Sequence, residues 1–259
     1  MYTIFAAQII IVNMKRIGII GAGQIGSTLA KKMSALGHRV KIANSRGAES
    51  LSALAQEIGV EAVDFRDAVV DVEFLIISIP QKSIESLPPD LMANCRENLV
   101  VVDTGNYYPL RDGKISELED GIPESQWVSG LLRRPVLKAF NSIGVSSLAD
   151  LGTEAGTPNR IALPISGDDS DGKRELIELI DTLGFDGIDA GTLSDSWRQQ
   201  PGSPVYCTDH NKNDLIRLLK KAERASLPAL RDKGLQLVMQ ADGLVKDYRD
   251  ILRALYLNI

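Results

Sequence analysis

Residues 17–26 read Ile-Gly-Ile-Ile-Gly-Ala-Gly-Gln-Ile-Gly, an apolar strand pattern that breaks into glycines and continues as a helical pattern. The glycines follow the spacing Gly-x-Gly-x-x-Gly. In that spacing Gly21 permits a tight turn, Gly23 lets the backbone approach a phosphate closely, and Gly26 lets the helix pack on the strand. A helix that starts at Gln24 would direct its unpaired N–H groups at a pyrophosphate. The stretch therefore predicts a dinucleotide site with a phosphate loop formed by Gly21, Ala22, Gly23, Gln24, Ile25 and Gly26.

The end of the second predicted strand, Val40–Ala43, indicates which dinucleotide this is. Sites that prefer NAD place Asp or Glu about 20 residues after the glycines to bind the ribose 2′-OH. Here Asn44, Ser45 and Arg46 follow the strand instead. A guanidinium can bind a 2′-phosphate through two donors, whereas a carboxylate would repel it. The three residues predict a preference for NADP(H); the alternative is that they form only a solvated turn.

The first half of the chain alternates apolar runs with helical patterns, which predicts an α/β fold: a Rossmann, doubly wound and mostly parallel sheet. Strands are predicted at Arg16–Ile20, Val40–Ala43, Val60–Val63, Phe74–Ser78 and Leu99–Asp103. Helices are predicted at Gln24–Leu36, Ala48–Ile58, Phe65–Val70 and Ile84–Met92. Because parallel strands expose their carboxyl ends along one edge of the sheet, ligand contacts are expected in the segments that follow each strand.

The second half predicts a smaller α/β extension and a helical tail. A strand at Val136–Phe140 is followed by strand Arg160–Ile165, helix Lys173–Leu183 and strand Phe185–Ala190. The tail from Asn213 to Leu257 has a helical pattern that is interrupted around Pro228 and Gly243. Its apolar stripes predict a packing face or a homodimer interface.

Three segments are predicted from these patterns. Residues 1–13 precede the first strand and form an N-terminal extension that is disordered or a start-site artefact. Residues 14–145 form the NADP-binding Rossmann domain. Residues 146–259 form a C-terminal α/β and helical subdomain that covers the substrate cleft.

Polar groups after the fourth, fifth and next strands are the candidates near the nicotinamide. Ser78, Ile79 and Pro80 follow the fourth strand, and Pro80 would fix the chain over the nicotinamide or its ribose. Asn106 follows the fifth strand, and Asn141 and Ser142 follow the next one. These three polar side chains could orient carbonyl or ring-nitrogen groups by hydrogen bonds, or they could be turn and cap residues.

Composition excludes several other classes of function. The net charge is −5 and no basic block occurs, so nucleic acid is not an expected partner. No apolar run reaches the length of a membrane span. Two cysteines far apart in sequence predict reduced thiols in the cytoplasm, with a disulfide as the alternative, and two histidines argue against a multi-His metal centre.

The chain resembles the coenzyme F420 (deazaflavin)-dependent NADP oxidoreductases. The motifs that carry the resemblance lie in the family's order at residues 21–26, 44–46, 78–80, 138–143, 166–169 and 189–196. The Rossmann motifs are shared with many reductases, while the last three, such as Lys-Ala-Phe-Asn-Ser-Ile at 138–143, are more diagnostic.

The resemblance implies roles for individual positions. Residues 22–25 match the phosphate loop, and Ser45 and Arg46 match the binders of the 2′-phosphate. Ile79 and Pro80 match residues that flank the nicotinamide ribose. Asn141 and Ile143 match positions in the cleft where the deazaflavin stacks on the nicotinamide. Two departures are that the family carries Lys where this chain has Ser50, and often His where it has Asn141.

The expected activity is hydride transfer between NADP(H) and a flavin-like acceptor, either coenzyme F420 or FMN or FAD. Such a reaction needs little acid–base chemistry from side chains, because the cofactor carries the chemistry and the protein supplies orientation. Two alternatives remain open at this point. The chain could be an NADPH-dependent reductase of a quinone, a ferric complex or a small carbonyl or imine, or it could be a non-enzymatic NADP-sensing module.

Overall fold

The computed structural model describes residues 14–241 and 248–257 of the chain. Its main sheet has six parallel strands in the order β3-β2-β1-β4-β5-β6. The strands β1 to β6 are Arg16–Ile20, Arg39–Ala43, Glu61–Ala62, Phe74–Ile77, Val100–Asp103 and Leu137–Lys138. This is the strand order of the Rossmann fold, so the predicted fold class is confirmed.

Helices connect the strands and cover both faces of the sheet. The α-helices α1 to α11 are Gln24–Ala35, Ser52–Ile58, Phe65–Ala68, Pro109–Asp112, Ser116–Glu119, Glu124–Leu132, Val145–Asp150, Ser170–Thr182, Lys212–Lys221, Leu227–Gln240 and Arg249–Leu257. Short 3₁₀ helices lie at Ala48–Leu51, Gln81–Ser86, Leu193–Gln199 and Arg224–Ser226.

The predicted C-terminal extension is a two-stranded parallel sheet. Its strands are β7, Ala162–Ile165, and β8, Asp186–Asp189, connected through α8. The small sheet joins the main one through an antiparallel bridge, in which the backbone N–H of Lys138 donates to the Ser166 carbonyl at 2.8 Å. The predicted domain boundary at residue 145 stays a prediction.

Two apolar clusters hold the layers together, one on each face of the main sheet. On one face, Leu29 and Met33 of α1 and Leu176 and Ile180 of α8 pack against the strands. On the other face, Val128 of α6 is part of the core. Parallel strands that are covered on both faces consist of consecutive apolar residues. In agreement with this, every residue of β4 is apolar and fully buried.

Several predicted element bounds are wrong. The predicted helix Ile84–Met92 is absent, because Pro88 and Pro89 lack the N–H groups that a helix interior needs; a 3₁₀ helix, Gln81–Ser86, precedes them. The predicted strand Val60–Val63 shrinks to Glu61–Ala62, and Val136–Phe140 shrinks to Leu137–Lys138. The helices α4, α5, α6 and α7 have no predicted counterpart.

The tail departs from its prediction in one respect. Pro228 does not interrupt a helix but lies in the first turn of α10, where a proline costs no hydrogen bond. The predictions for residues 1–13 and for an interruption at Gly243 lie outside the described residues. Within the described ranges, no helix combines the length and the apolar character that crossing a membrane would require.

Candidate active site

The glycine loop is built by close backbone contacts between β1, α1 and the segment after β4. Gly21 has φ +114°, and a Cβ atom there would lie 2.1 Å from the Ser78 carbonyl oxygen. A Cβ atom on Gly26 would lie 2.0 Å from the Gly21 carbonyl oxygen. These two positions therefore require glycine for packing, and they fix the start of α1 against the ends of two strands.

Gly23 differs from its neighbours because it faces open space. An ideal Cβ atom there would have no atom of residues 14–241 or 248–257 within 4 Å, and the residue is exposed. Gly23 directly precedes α1 and has no side chain to cap the first helical turn. A phosphate could thus approach the first N–H groups of α1, including those of the exposed Gln24 and half-buried Ile25. The residues present fit a pyrophosphate.

The turn after β2 exposes the guanidinium group of Arg46. The Asn44 Oδ1 atom accepts hydrogen bonds from the Arg46 backbone N–H at 2.8 Å and from the Ser50 hydroxyl at 3.1 Å. Ser45 and Arg46 are exposed, and no carboxylate in the described ranges lies within salt-bridge distance of the Arg46 guanidinium. Asn44 therefore shapes the turn, while Arg46 stays available for an anionic ligand. Ser50, at the position where the resemblance implies Lys, is hydrogen-bonded within the turn.

The segment after β4 lies beside the glycine loop. The Ser78 backbone N–H donates to the Ile20 carbonyl at 2.8 Å, so this segment continues the pairing of β4 with β1. Ser78, Ile79 and Pro80 are half-buried and follow the strand at the sheet edge. Their predicted contacts with the nicotinamide ribose are compatible with this position and stay a prediction.

Gln81 is a buried residue at the sheet edge that the sequence did not predict as part of the site. Its side chain is fully buried, and neither amide atom has a hydrogen-bond partner among the described residues. The Nε2 atom lies 2.9 Å from the position that a Cβ atom on Gly105 would take. No local pattern identifies such a residue, since a Gln after Ile-Pro reads as part of a surface turn.

Asn141 holds loops together in this structure. Its Nδ2 atom donates to Asn106 Oδ1 at 3.0 Å and to the Gln199 carbonyl at 2.7 Å. Its Oδ1 atom accepts from Gln199 Nε2 at 2.9 Å, and Asn106 Nδ2 donates to the Asn141 carbonyl at 2.9 Å. Because both amide hydrogens of Asn141 are used, the side chain joins the loops after β5 and β6 to the 3₁₀ helix at Leu193–Gln199, and its predicted contact with a ligand stays a prediction.

The neighbours of Asn141 are also inside the protein. Ser142 is 4% exposed, and its carbonyl accepts a hydrogen bond from the Cys207 backbone N–H at 2.9 Å. Ile143 is 3% exposed and belongs to the core cluster that also contacts Ala22 and Ile25. Both side chains are thus buried, and the cleft contacts predicted for Ser142 and Ile143 stay a prediction.

A fully buried ionic cluster fixes the loop after β5. The Lys138 ammonium donates to the Gly105 carbonyl and to Glu124 Oε2, both at 3.0 Å, and lies 3.9 Å from Asp103 Oδ2. The other Glu124 oxygen accepts from the Tyr107 backbone N–H at 3.1 Å. The cluster thus sets the path of residues 103–107, which carry Asn106 to the sheet edge.

The two histidines lie in structural positions. His38 Nδ1 accepts a hydrogen bond from the Lys15 backbone N–H at 3.1 Å, and burial is the main cause that lowers its pKa. His210 lines a cavity of about 470 Å³ together with Leu218 and Leu227, and burial lowers its pKa as well. This cavity contains none of the residues predicted to bind the nucleotide.

Comparisons with known proteins identify the family to which the chain belongs. Residues 16–107 match the family model described as NADP oxidoreductase, coenzyme F420-dependent. The crystal structure of the hypothetical protein SMa0349 from Sinorhizobium meliloti is 35% identical, with a TM-score of 0.64, and the match covers 77% of this chain and 96% of that one. This chain belongs to the coenzyme F420-dependent NADP oxidoreductase family. The glycine loop and Arg46 of this NADP-dependent oxidoreductase both lie within the matched residues 16–107.

Two further relatives extend the comparison. The protein YjhV of Escherichia coli (strain K12) is 36% identical over 104 residues, which are 39% of this chain and 69% of YjhV. A proposed F420-dependent NADP reductase from Arthrobacter sp. FB24 is 22% identical, with a TM-score of 0.57 over 71% of this chain and 87% of that one. The latter likeness shows the shared fold alone.

Proposed function

We propose that the chain binds NADPH along the carboxyl edge of β2, β1 and β4 and passes a hydride to a flavin-like ring, either coenzyme F420 or FMN or FAD. The observation that carries the NADP preference is the exposed Arg46 guanidinium, which is unpaired within the described residues, at the end of β2. The residue directly after β2 is Asn44, so no carboxylate occupies the position that would repel a 2′-phosphate.

The chain's own residues would bind and orient the cofactor. The first turn of α1 would receive the pyrophosphate, Arg46 and Ser45 the 2′-phosphate, and the segment 78–80 the ribose of the nicotinamide. When bound, the nicotinamide supplies the hydride. The cluster around Lys138 and the amide pair Asn106–Asn141 would hold the loops after β5 and β6 in place, which preserves the short donor–acceptor distance that hydride transfer requires.

We expect Arg46→Ala to weaken NADPH binding roughly 10- to 150-fold, because a charge-assisted contact contributes about 1.5–3 kcal/mol. NADH has no 2′-phosphate, so its Kd should change less than threefold. Titration calorimetry of both nucleotides measures the difference. The matched control is Arg39→Ala, which removes an exposed arginine from the opposite end of the same strand. Equal weakening of both nucleotides by Arg46→Ala would refute the 2′-phosphate role.

The identity of the hydride acceptor distinguishes the proposed reaction from its alternatives. NADPH oxidation is to be followed against coenzyme F420, FMN, FAD, quinones, ferric chelates and small imines. Turnover with the flavin-like rings supports the proposal, and turnover with another group alone selects that alternative. Tight NADPH binding without any turnover would favour a sensor. A cytoplasmic location and a homodimer through the C-terminal helices are further parts of the proposal.

A further inference from the structure

A cavity of about 240 Å³ lies at the carboxyl ends of β5 and β6. Tyr108, in the loop after β5, and Val145, at the start of α7, form one wall. Val238 of α10, Leu252 of α11 and Tyr206 also line the cavity. The lining is mostly apolar and aromatic, which is typical of small-molecule sites.

The strand order places this cavity next to the proposed nicotinamide position. Along the sheet edge, Arg46 follows β2, the glycine loop follows β1, and the segment 78–80 follows β4. The loops after β5 and β6 come next in the same direction. Since neighbouring strands lie about 4.8 Å apart, the ends of β5 and β6 are the next two along the edge after β4, and the loops that follow them contribute Tyr108 and Val145 to the cavity lining.

Two phenol groups in the cavity form a hydrogen-bonded pair. The Tyr108 hydroxyl donates to the Tyr206 hydroxyl at 2.8 Å. That bond uses one of the two hydroxyl hydrogens, and the other has no acceptor among the described residues. Burial is the main cause that raises the pKa of both tyrosines, so both hydroxyls stay protonated and one of them can donate to a ligand.

The charges around the cavity favour an uncharged ligand group. No carboxylate of residues 14–241 or 248–257 lines it. Arg249 is the charged side chain in that lining, and its NH1 group already pairs with Asp209 Oδ2 at 3.0 Å. An apolar cavity that offers a neutral hydroxyl donor is suited to a carbonyl oxygen on a flat ring.

We propose that this cavity receives the carbonyl-bearing ring of the hydride acceptor, a planar conjugated ring such as that of a quinone or a flavin, and that the Tyr108–Tyr206 hydroxyl pair donates a hydrogen bond to its carbonyl oxygen. This inference rests on the proposed function. In the reaction the ring gains a hydride from NADPH, which becomes NADP⁺, and a proton from solvent completes the reduced ring. The conjugated carbonyl oxygen carries negative charge until that proton arrives, and fixed neutral donors stabilise such charge.

The test uses Tyr206→Phe, Tyr108→Phe and the double variant, with menadione and FMN as probes. Removal of a preorganised donor typically lowers kcat about 10²–10³-fold. In each single variant the remaining hydroxyl can still donate, so we expect a loss in kcat/KM of about tenfold for the singles and about a hundredfold for the double. The Kd of NADPH should not change. The Kd of each probe for the nucleotide-free protein, measured by titration calorimetry, should rise at least threefold in the double variant.

The control is Tyr107→Phe, because the Tyr107 hydroxyl donates to the Gly113 carbonyl at 3.1 Å and does not line this cavity. Thermal melts establish that each variant folds. A double variant that keeps both kcat/KM and the probe Kd within threefold of the wild type overturns the inference, as does a wild-type protein that binds neither probe or reduces only aliphatic carbonyls. If the wild type fails to bind NADPH, the proposed function fails, and the probe Kd values still decide whether the ring site exists.

Discussion

We expect the Gly23→Val protein to fold with a Tm within a few degrees of the wild type and to bind neither NADPH nor NADH. The backbone at Gly23 has φ −74°, which any residue adopts, and a Cβ atom there would meet no atom within 4 Å in the part of the chain that the structure describes. The folded chain therefore tolerates the side chain at the cost of a poorer helix cap. The isopropyl group would occupy the space through which a phosphate must reach the first turn of α1. Calorimetric titration and a thermal melt of the same preparation measure both outcomes.

Gly26→Ala is the matched control for that prediction. Its added Cβ atom would lie 2.0 Å from the Gly21 carbonyl oxygen, a backbone atom that cannot move without displacing the loop. We expect this variant to lose thermal stability, in contrast to Gly23→Val. If Gly23→Val lowers the Tm as much as Gly26→Ala does, Gly23 acts in packing and the interpretation of its open surroundings as a phosphate site is wrong.

The sequence predicts the part of the fold that depends on local patterns. The strands β1, β2, β4 and β5 lie within one or two residues of their predicted bounds, because a buried parallel strand is a short apolar run between turn residues. The helix expected at Ile84–Met92 from its apolar spacing does not form, because Pro88 and Pro89 lack the N–H groups that a helix interior needs. The helix α6 was not predicted, although its apolar residues Trp127, Val128 and Leu131 follow a helical spacing.

The same distinction between local sequence patterns and long-range contacts applies to the residues of the candidate site. The glycine loop and the turn at residues 44–46 depend on neighbours in sequence, so their positions after β1 and β2 could be predicted. The partners of Asn141 could not, because Gln199 lies 58 positions further along the chain. Asn141 was expected to contact a ligand, but tertiary contacts occupy its amide group. The hydroxyl pair of Tyr108 and Tyr206, separated by 98 positions, likewise exists only in the folded chain.

Lys138 illustrates how such a long-range contact determines stability. Its side chain has no exposed surface, and it pairs with Glu124 at 3.0 Å. Glu124 and Asp103 are themselves 5% and 1% exposed as side chains. Without the lysine, two buried carboxylates would have no cation beside them, and little would offset the free-energy cost of removing them from water. The ammonium therefore stabilises the whole cluster, and with it the path of the loop that carries Asn106.

We expect Lys138→Met to lower the free energy of unfolding by about 3–5 kcal/mol, the usual cost of removing one partner from a buried ion pair. For a chain of this size that corresponds to a fall in Tm of roughly 6–20 °C. The double variant Lys138→Met/Glu124→Gln should be more stable than Lys138→Met alone, because it removes one of the unpaired charges while keeping the side-chain shape. Urea unfolding of the wild type, both single variants and the double variant measures the coupling between the two residues. A double variant no more stable than Lys138→Met would mean that the lysine stabilises the fold through its hydrogen bond to the Gly105 carbonyl and its packing, and not through the charge of Glu124.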